Sequence, residues 1–283
     1  DITTASLPIG TEMVPYTAIL QATDGTPPYA WTTLPEVVAW GDDGWGQTEV
    51  PSDLRGAVQF AAGWGHSMAL RSDGSIVAWG ADAHGQSTVP ERMGGVVDIA
   101  AGHYHSLALR SDGTVVAWGI NDYGESTVPR GLGQVVDVDA GGSHSLALLS
   151  NGTVVAWGNN DSGQLNIPDG LSNVVEIAAG GGHNLALRSN GTVVAWGSAF
   201  YEETNVPSGL SDVVAVAAES SLSMALKSDG TVVAWGSYDG GSVAVPDALS
   251  NVIAIAAGND HSLALRSDGT VVAFGYNSHG QTN

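Results

Sequence analysis

The sequence predicts an all-β fold, a seven-bladed β-propeller of 39-residue repeats with an N-terminal β-strand arm. Three observations lead there. The phrase VVAWG, or a near copy, returns at Val37–Gly41, Ile76–Gly80, Val115–Gly119, Val154–Gly158, Val193–Gly197, Val232–Gly236 and Val271–Gly275, always 39 residues on. A period of that length without an insertion marks a repeat architecture. The chain of 283 residues holds 39 Gly and only 13% charged residues, which suits many short strands joined by tight turns. An Asp-Gly or Asn-Gly pair separates SLALR from TVVAW in unit after unit, and such pairs tolerate the positive φ angles of hairpin turns.

Residues 1–36 stand outside the repeat and are read as a separate arm; residues 37–283 form the repeat domain. Each unit runs VVAWG, a variable loop, VP, a polar connection, VVxIAAG, two variable residues and HSLALRSDGT. VVDIAA and SLAL have the β-branched, alternating character of strands. The Pro at 51, 90, 129, 168, 207 and 246 lacks a donor and belongs at a strand edge. No stretch has helical periodicity with caps. Each unit is therefore expected to be an antiparallel sheet of about four strands.

The unit AAGxxHSLALRSDGTVVAWGxNxxGQ resembles the repeat of the regulator-of-chromosome-condensation family, whose members form seven-bladed propellers. The VP spacing is most similar to the bacterial branch of that family, which includes a secreted β-lactamase inhibitor. The stretch ITTASLPIGT through TPPYAW resembles the opening strands of a bacterial immunoglobulin-like domain. It is far shorter than the roughly 100 residues of a complete sandwich. A second reading sets Tyr16–Thr26 (YTAILQATDGT) beside the repeat's own HSLALRSDGT, as a substitute hairpin. Six units are complete from 37 to 270, and the seventh stops at Asn283. A blade left half built has unpaired edges that invite another segment. Strands from the arm are expected to complete it, either within one chain or by donation to a neighbour.

Composition limits the partners. The formal charge is −21, with eight Lys and Arg in all. Five of these (Arg71, Arg110, Arg188, Lys227, Arg266) share one repeat column. Arg55, Arg92 and Arg130 alone cannot make a phosphate-binding stripe, so no nucleic acid is expected as a partner. No apolar run approaches membrane-span length, so no membrane insertion is expected. The chain has no Cys, which excludes disulfides and thiolate chemistry. It opens on Asp1 rather than Met, as a processed or partial chain would.

The His column (His66, His105, His144, His183, His261) reads as structural, because a residue repeated blade after blade serves the blade, for instance by bonding a turn. Adjacent His-Ser pairs cannot be dyads, since neighbours on a strand face opposite ways. The aromatic column, Trp40, Trp79, Trp118, Trp157, Trp196 and Trp235, reads as core packed between blades. The acidic loops Asp42–Gln47, Ile120–Glu125 and Asn159–Gln164 lack the bidentate Glu that a calcium loop requires. No metal or other cofactor is expected, and no catalytic constellation stands outside the repeat columns.

Function then belongs to the variable loops. The candidate interface residues are Trp45, His84, Tyr123, Tyr201, Glu202, Tyr238 and Tyr276 after VVAWG, with Trp64, His103 and Tyr104 before the His column. The fifth unit is singled out: it alone carries Glu219-Ser-Ser-Leu222 for Gly-x-x-His, and it reads AFYEET. The expected function is a non-enzymatic protein-interaction or structural module, extracellular or at a cell surface. Its partner would be another extracellular protein or itself, as a homo-oligomer or fibre assembled through the arm. The alternative that the resemblance implies is a secreted inhibitor of an enzyme such as a β-lactamase.

Overall fold

A computed structural model describes residues 37–238, 241–242, 244–259 and 261–283. The roles expected of residues 1–36 lie outside the described residues. Six sheets account for nearly all the regular structure, one from each 39-residue repeat. The first three are β1 (Ala57–Ala62), β2 (His66–Arg71) and β3 (Ile76–Gly80); β4 (Val96–Ala101), β5 (His105–Arg110) and β6 (Val115–Gly119); and β7 (Val135–Ala140), β8 (His144–Leu149) and β9 (Val154–Gly158). The next are β10 (Val174–Ala179), β11 (His183–Arg188) and β12 (Val193–Gly197); and β13 (Val213–Glu219), β14 (Leu222–Lys227) and β15 (Val232–Tyr238), with the short β16 (Gly241–Ser242). The last is β17 (Val252–Ala257), β18 (His261–Arg266) and β19 (Val271–Gly275). All pairings are antiparallel, and the first strands of all six sheets line one central cavity of about 220 Å³. This is the arrangement of a β-propeller.

Two expectations about the unit need correction. Sheets have three strands rather than four, apart from the β16 extension. The VP stretch descends outside the sheet without pairing, and its Val89, Val128, Ile167 and Val206 instead close the blade interfaces. Each first strand begins with a bulge, which leaves Val58, Val97, Val136, Val175, Val214 and Ile253 exposed. It is launched from a residue in left-handed conformation, Gly56 and Gly95 in two units and Gln134, Asn173, Asp212 and Asn251 in the others.

Strand alternation builds the core. In the middle strands a large, small, large pattern sends the two large side chains to one neighbouring blade and the Ala to the other. Leu107 and Leu109 pack with the third blade's Val135, Val138 and Trp157, while Ala108 packs with Met68 of the first. Trp118, Trp157, Trp196, Trp235 and Phe274 are buried at equivalent places. Trp79 is only half-buried, and Trp40 is 42% exposed with Val37–Trp40 in no strand, contrary to the core role expected of that column. Both lie where the described sheets end. There Phe60 is 51% exposed, whereas its counterpart Ile99 is 3% exposed. Val271 is exposed on the other side, and a cavity of about 410 Å³ lies among Val38, Trp40, Val271 and Ala273.

The His column joins blades instead of bonding a turn. His66 Nε2 meets Ser106 Oγ of the next blade at 2.9 Å, and His105–Ser145 and His183–Ser223 repeat the distance. His144 Nε2 reaches Asn184 Oδ1 at 2.7 Å. Each Ser hydroxyl donates onward to a loop carbonyl, as Ser106 does to Gln86, so the imidazole must donate through Nε2–H. The Trp of the same blade donates to that same carbonyl: Trp118 Nε1 to Gln86 O at 2.9 Å, Trp157 Nε1 to Glu125 O at 2.8 Å. Trp40 makes the corresponding bond, Nε1 to Gln281 O at 3.0 Å, across 241 residues.

The glycine three residues before each His is set by close approach. A Cβ on Gly63 or Gly102 would fall 2.5 Å from the Cε1 of His66 or His105. Glycine and imidazole are therefore a coupled pair, and the fifth unit exchanges both, to Glu219 and Leu222. The next blade's Ser262 Oγ lacks the imidazole donor, and among the described residues it is buried without a partner. Leu222→His alone is expected to destabilise, because the ring would meet the Glu219 Cβ. Adding Glu219→Gly should restore the bond to Ser262 and raise stability above that of Leu222→His by at least about 2 kcal/mol. Denaturant unfolding of the two single variants and the double variant measures this coupling; additive effects would refute it.

Candidate functional site

The register places both variable loop sets on one rim. His105 pairs with Gly119, so the loop before the middle strand and the loop after the outer strand leave the sheet at the same end. A backbone bond from Ile120 N to Tyr104 O ties them together, as Ala81 N to Gly65 O does one blade earlier. The opposite end carries the Asp-Gly hairpins and the polar connections, joined by bonds such as Ser111 N to Gly95 O.

The rim loops are rigid for a reason visible in the repeat. The Gln or Glu that ends each loop turns its side chain back onto the backbone N–H two residues earlier. Gln47 Oε1 holds Trp45 N at 2.8 Å, Gln86 holds His84 N, Glu125 holds Tyr123 N and Glu203 holds Tyr201 N. The residue so held is aromatic in five loops, His279 with Gln281 being the fifth, which fixes the backbone from which each ring projects. Glu125 and Glu203 are buried in this duty. Glu202 occupies the column where other loops have Gly, at φ 65°. Left-handed conformation in a residue with a Cβ costs about 1 kcal/mol, and such strain concentrates at functional sites.

Four of the expected interface residues form one patch. Tyr104 meets Trp64 edge to face with ring centroids 5.2 Å apart, and His84 at 5.4 Å. Trp45 lies over Gly65, beside them. Trp45 and Trp64 are each about half exposed. His103 contacts Tyr104 but faces inward, and its Nε2 sits 3.3 Å from Glu219 Oε1 across the channel mouth. Tyr123, Tyr201, Glu202 and Tyr276 are exposed elsewhere on the rim. Tyr238 ends β15, and its side chain is outside the described set. Phe200, not among the expected interface residues, is the most exposed large apolar side chain among the described residues, at 84%, and stacks edge to face on Tyr201. Its signal was the loss of the Gly-Gln ending in AFYEET.

The inner strands carry a ladder of carboxylates, of which Asp139 lines the channel. Gln59 Nε2 donates to Asp98 Oδ1 at 2.6 Å, and Asp98, Asp137 and Glu176 each accept a long backbone N–H bond from the following blade. Asp139 accepts from Ala140 N and Ala179 N. Burial pushes Asp139 up to about 8 and Glu176 up to about 7. Burial together with the Asp98 charge raises Asp137 to about 7. Burial acts on the bridging imidazoles in the opposite sense, lowering His66, His144 and His183 to about 4 and His105 to about 3. No group of three or more His, Asp or Glu among the described residues is placed to hold a metal ion.

The comparisons give this architecture its relatives. The model of the regulator of chromosome condensation (RCC1) repeat matches residues 57–86, 96–125, 135–164, 174–201 and 252–281, just over half of the chain. The chain belongs to the RCC1 repeat family. No curated protein sequence matches it. Several solved structures share the fold. Human WBSCR16 has a TM-score of 0.67 at 19% identity, over 82% of this chain and 79% of that one. Prp20p from Saccharomyces cerevisiae has a TM-score of 0.66 at 22% identity, over 81% and 74%. The CRINKLY WD40 ectodomain of the Arabidopsis thaliana receptor kinase ACR4 has a TM-score of 0.69 at 24% identity, over 84% and 87%. At such identities the likeness is one of fold, and the rim of this RCC1-repeat protein must be read from its own residues.

The titrating groups fix a pH response. The raised carboxylates contribute stability that is complete below their unfolded values and is lost as pH rises through about 7 to 8. The lowered imidazoles contribute stability present above 6.5 and lost as pH falls towards about 4. Above pH 6.5 only the carboxylates act. Unfolding stability is therefore expected to fall between pH 6.5 and 8, by about 2 kcal/mol from one retained proton alone. Asp137→Asn, which keeps a donor towards Asp98, should reduce that fall; an unchanged slope in urea titrations would refute the assignment.

Proposed function

We propose that this propeller is a non-enzymatic protein-binding module whose docking face is the aromatic loop rim. One observation carries the reading: both variable loop sets emerge on the same rim, with large rings exposed from loops that are internally hydrogen-bonded. Exposed aromatic residues on rigid backbone are the usual anchors of interfaces. The constant columns are spent on the blades, which leaves the rim as the part free to vary. Related propellers bind proteins: the yeast structures of this family include Prp20p, described with its binding to Gsp1p and histones, and a complex of Prp20 with Kap60. We place the module outside the cell or at a cell surface, on the immunoglobulin-like flavour of residues 1–36 and the bacterial form of the repeat. Capping of a secreted enzyme, as a β-lactamase inhibitor would do, is the same rim put to one particular use.

The ring itself we read as having seven positions. The bond from Trp to a loop carbonyl steps 32 residues between blades, and the 241-residue step from Trp40 to Gln281 is the same step carried backwards round seven repeats of 39. Residues 18–32 stand one repeat upstream of β1 and β2. Tyr29-Ala30-Trp31 falls on the columns of Met68-Ala69-Leu70, with the same large, small, large order. These residues are the chain's own match for the apolar space beside Phe60 and Val271. Filling it from a second copy instead would give the self-assembling form.

Two experiments test this reading. The full chain should retain a protein partner that Trp64→Ala, Tyr104→Ala and Phe200→Ala together weaken by about 30-fold or more. Asp112→Asn with Asp229→Asn, on the opposite rim, should not weaken it; equal loss from both sets would refute the rim. A chain lacking residues 1–36 is expected to melt lower and to bind a hydrophobic dye. Unchanged melting and an unchanged association state would show that the arm fills nothing.

A further inference from the structure

The two rims differ in charge more sharply than the overall −21 suggests. All eight Lys and Arg stand at the hairpin rim: Arg71, Arg110, Arg188, Lys227 and Arg266 end the middle strands there, and Arg55, Arg92 and Arg130 lie in the connections beside them. Their positive charge is partly spent on that rim's own carboxylates and carbonyls, as in Lys227–Asp229 and Arg266–Asp268. The loop rim has no Lys or Arg at all. Its exposed carboxylates, Asp42, Asp43, Asp82, Asp122, Asp161 and Glu202, face solvent with no strong base to neutralise them. Asp42, Asp43 and Asp82 accept from loop N–H, amide and hydroxyl groups and Asp161 accepts from the Asn159 amide, which leaves their charge in place.

Into this negative field the rim projects the rings of Trp45, Trp64 and Tyr104. An indole face attracts a cation through its quadrupole, and more strongly where nearby carboxylates add to the field. Asp42 lies in the Trp45 loop and Asp82 in the His84 loop, so the carboxylates flank the patch. Shape, charge and ring chemistry agree. We propose that the patch formed by Trp45, Trp64 and Tyr104 receives a lysine- or arginine-bearing segment of a partner protein, its cationic heads lying against the two exposed indoles. The inference rests on the rim reading above and adds to it the chemistry of what the rim takes. Steering follows from the same asymmetry: a basic partner is drawn towards the loop rim more strongly than towards the hairpin rim, where Lys and Arg offset the carboxylates.

The test uses the full chain with fluorescein-labelled octalysine and octaarginine, and octaglutamate as the control. Anisotropy should report binding of the cationic peptides alone, weakened at least tenfold when salt rises from about 0.05 M to about 0.5 M. Trp45→Ala and Trp64→Ala, which leave the net charge unchanged, should each weaken binding by about tenfold. Both rings are half exposed, and unchanged circular dichroism verifies that the variants fold. Undiminished binding by these variants would mean that the peptides respond to diffuse charge, and would overturn the proposal, as would failure of either cationic peptide to bind. If the peptides fail while the rim variants still lose their natural partner, the cationic chemistry falls and the rim stands. If the peptides bind as expected while rim variants keep every partner, the rim reading falls instead.

Discussion

The structure depends on a clamp between neighbouring blades. An imidazole of one blade donates to a hydroxyl or amide of the next, and that group and a Trp both donate to a carbonyl in the loop that crosses between them. All of this is buried, so every polar atom in it must find a partner or carry a cost. The Nδ1 of His66, His105, His144 and His183 is left bare, as is Ser262 Oγ, and burial holds these imidazoles neutral. Because the clamp fixes the carbonyl of Gln86 or Glu125, it also fixes the loop around it. That loop in turn fixes the backbone beneath His84 or Tyr123. A core hydrogen bond thus sets the geometry of the candidate binding surface.

Much of the fold could be read from the repeat. The 39-residue period, the Asp-Gly turns and the β-branched runs placed the strands, because local chemistry repeated six times leaves little choice of register. What the repeat could not tell was where a column points once blades are stacked. The His column was expected to bond a turn within its own unit; its partner stands 40 residues away, on a different sheet. The VP stretch had a strand-edge residue but no partner edge to lie against, and a pattern in one unit cannot reveal that lack. The Trp column was legible as core, yet Trp40 and Trp79 depend on which blade stands before them, and so differ from Trp118.

For the site, the sequence supplied the loops but not their convergence. His84 and Tyr104 belong to different loop sets, and they meet because strand pairing such as His105 with Gly119 brings both sets to one rim. His103 was grouped with the outward rings, whereas the strand end turns it inward to Glu219. That contact comes from the altered turn of the fifth unit. A glutamate at position 219 displaces the imidazole that a glycine would have admitted, and its carboxylate reaches across the channel mouth. The inner-strand carboxylates add a second effect that residue type alone did not reveal. Asp98 or Asp137 looks like an ordinary surface acid in the sequence, and only stacking of the inner strands removes water from it.

The bond between glycine and histidine chemistry constrains how such a chain changes over generations. A unit that loses its glycine first forces a methylene into the imidazole ring, and one that loses its histidine first leaves a hydroxyl of the next blade stranded. Either half-step passes through a weaker protein, whereas copying a whole unit carries both halves at once. The coupled pair therefore favours change by whole units over exchange of single residues, and it ties each blade's identity to that of its neighbour.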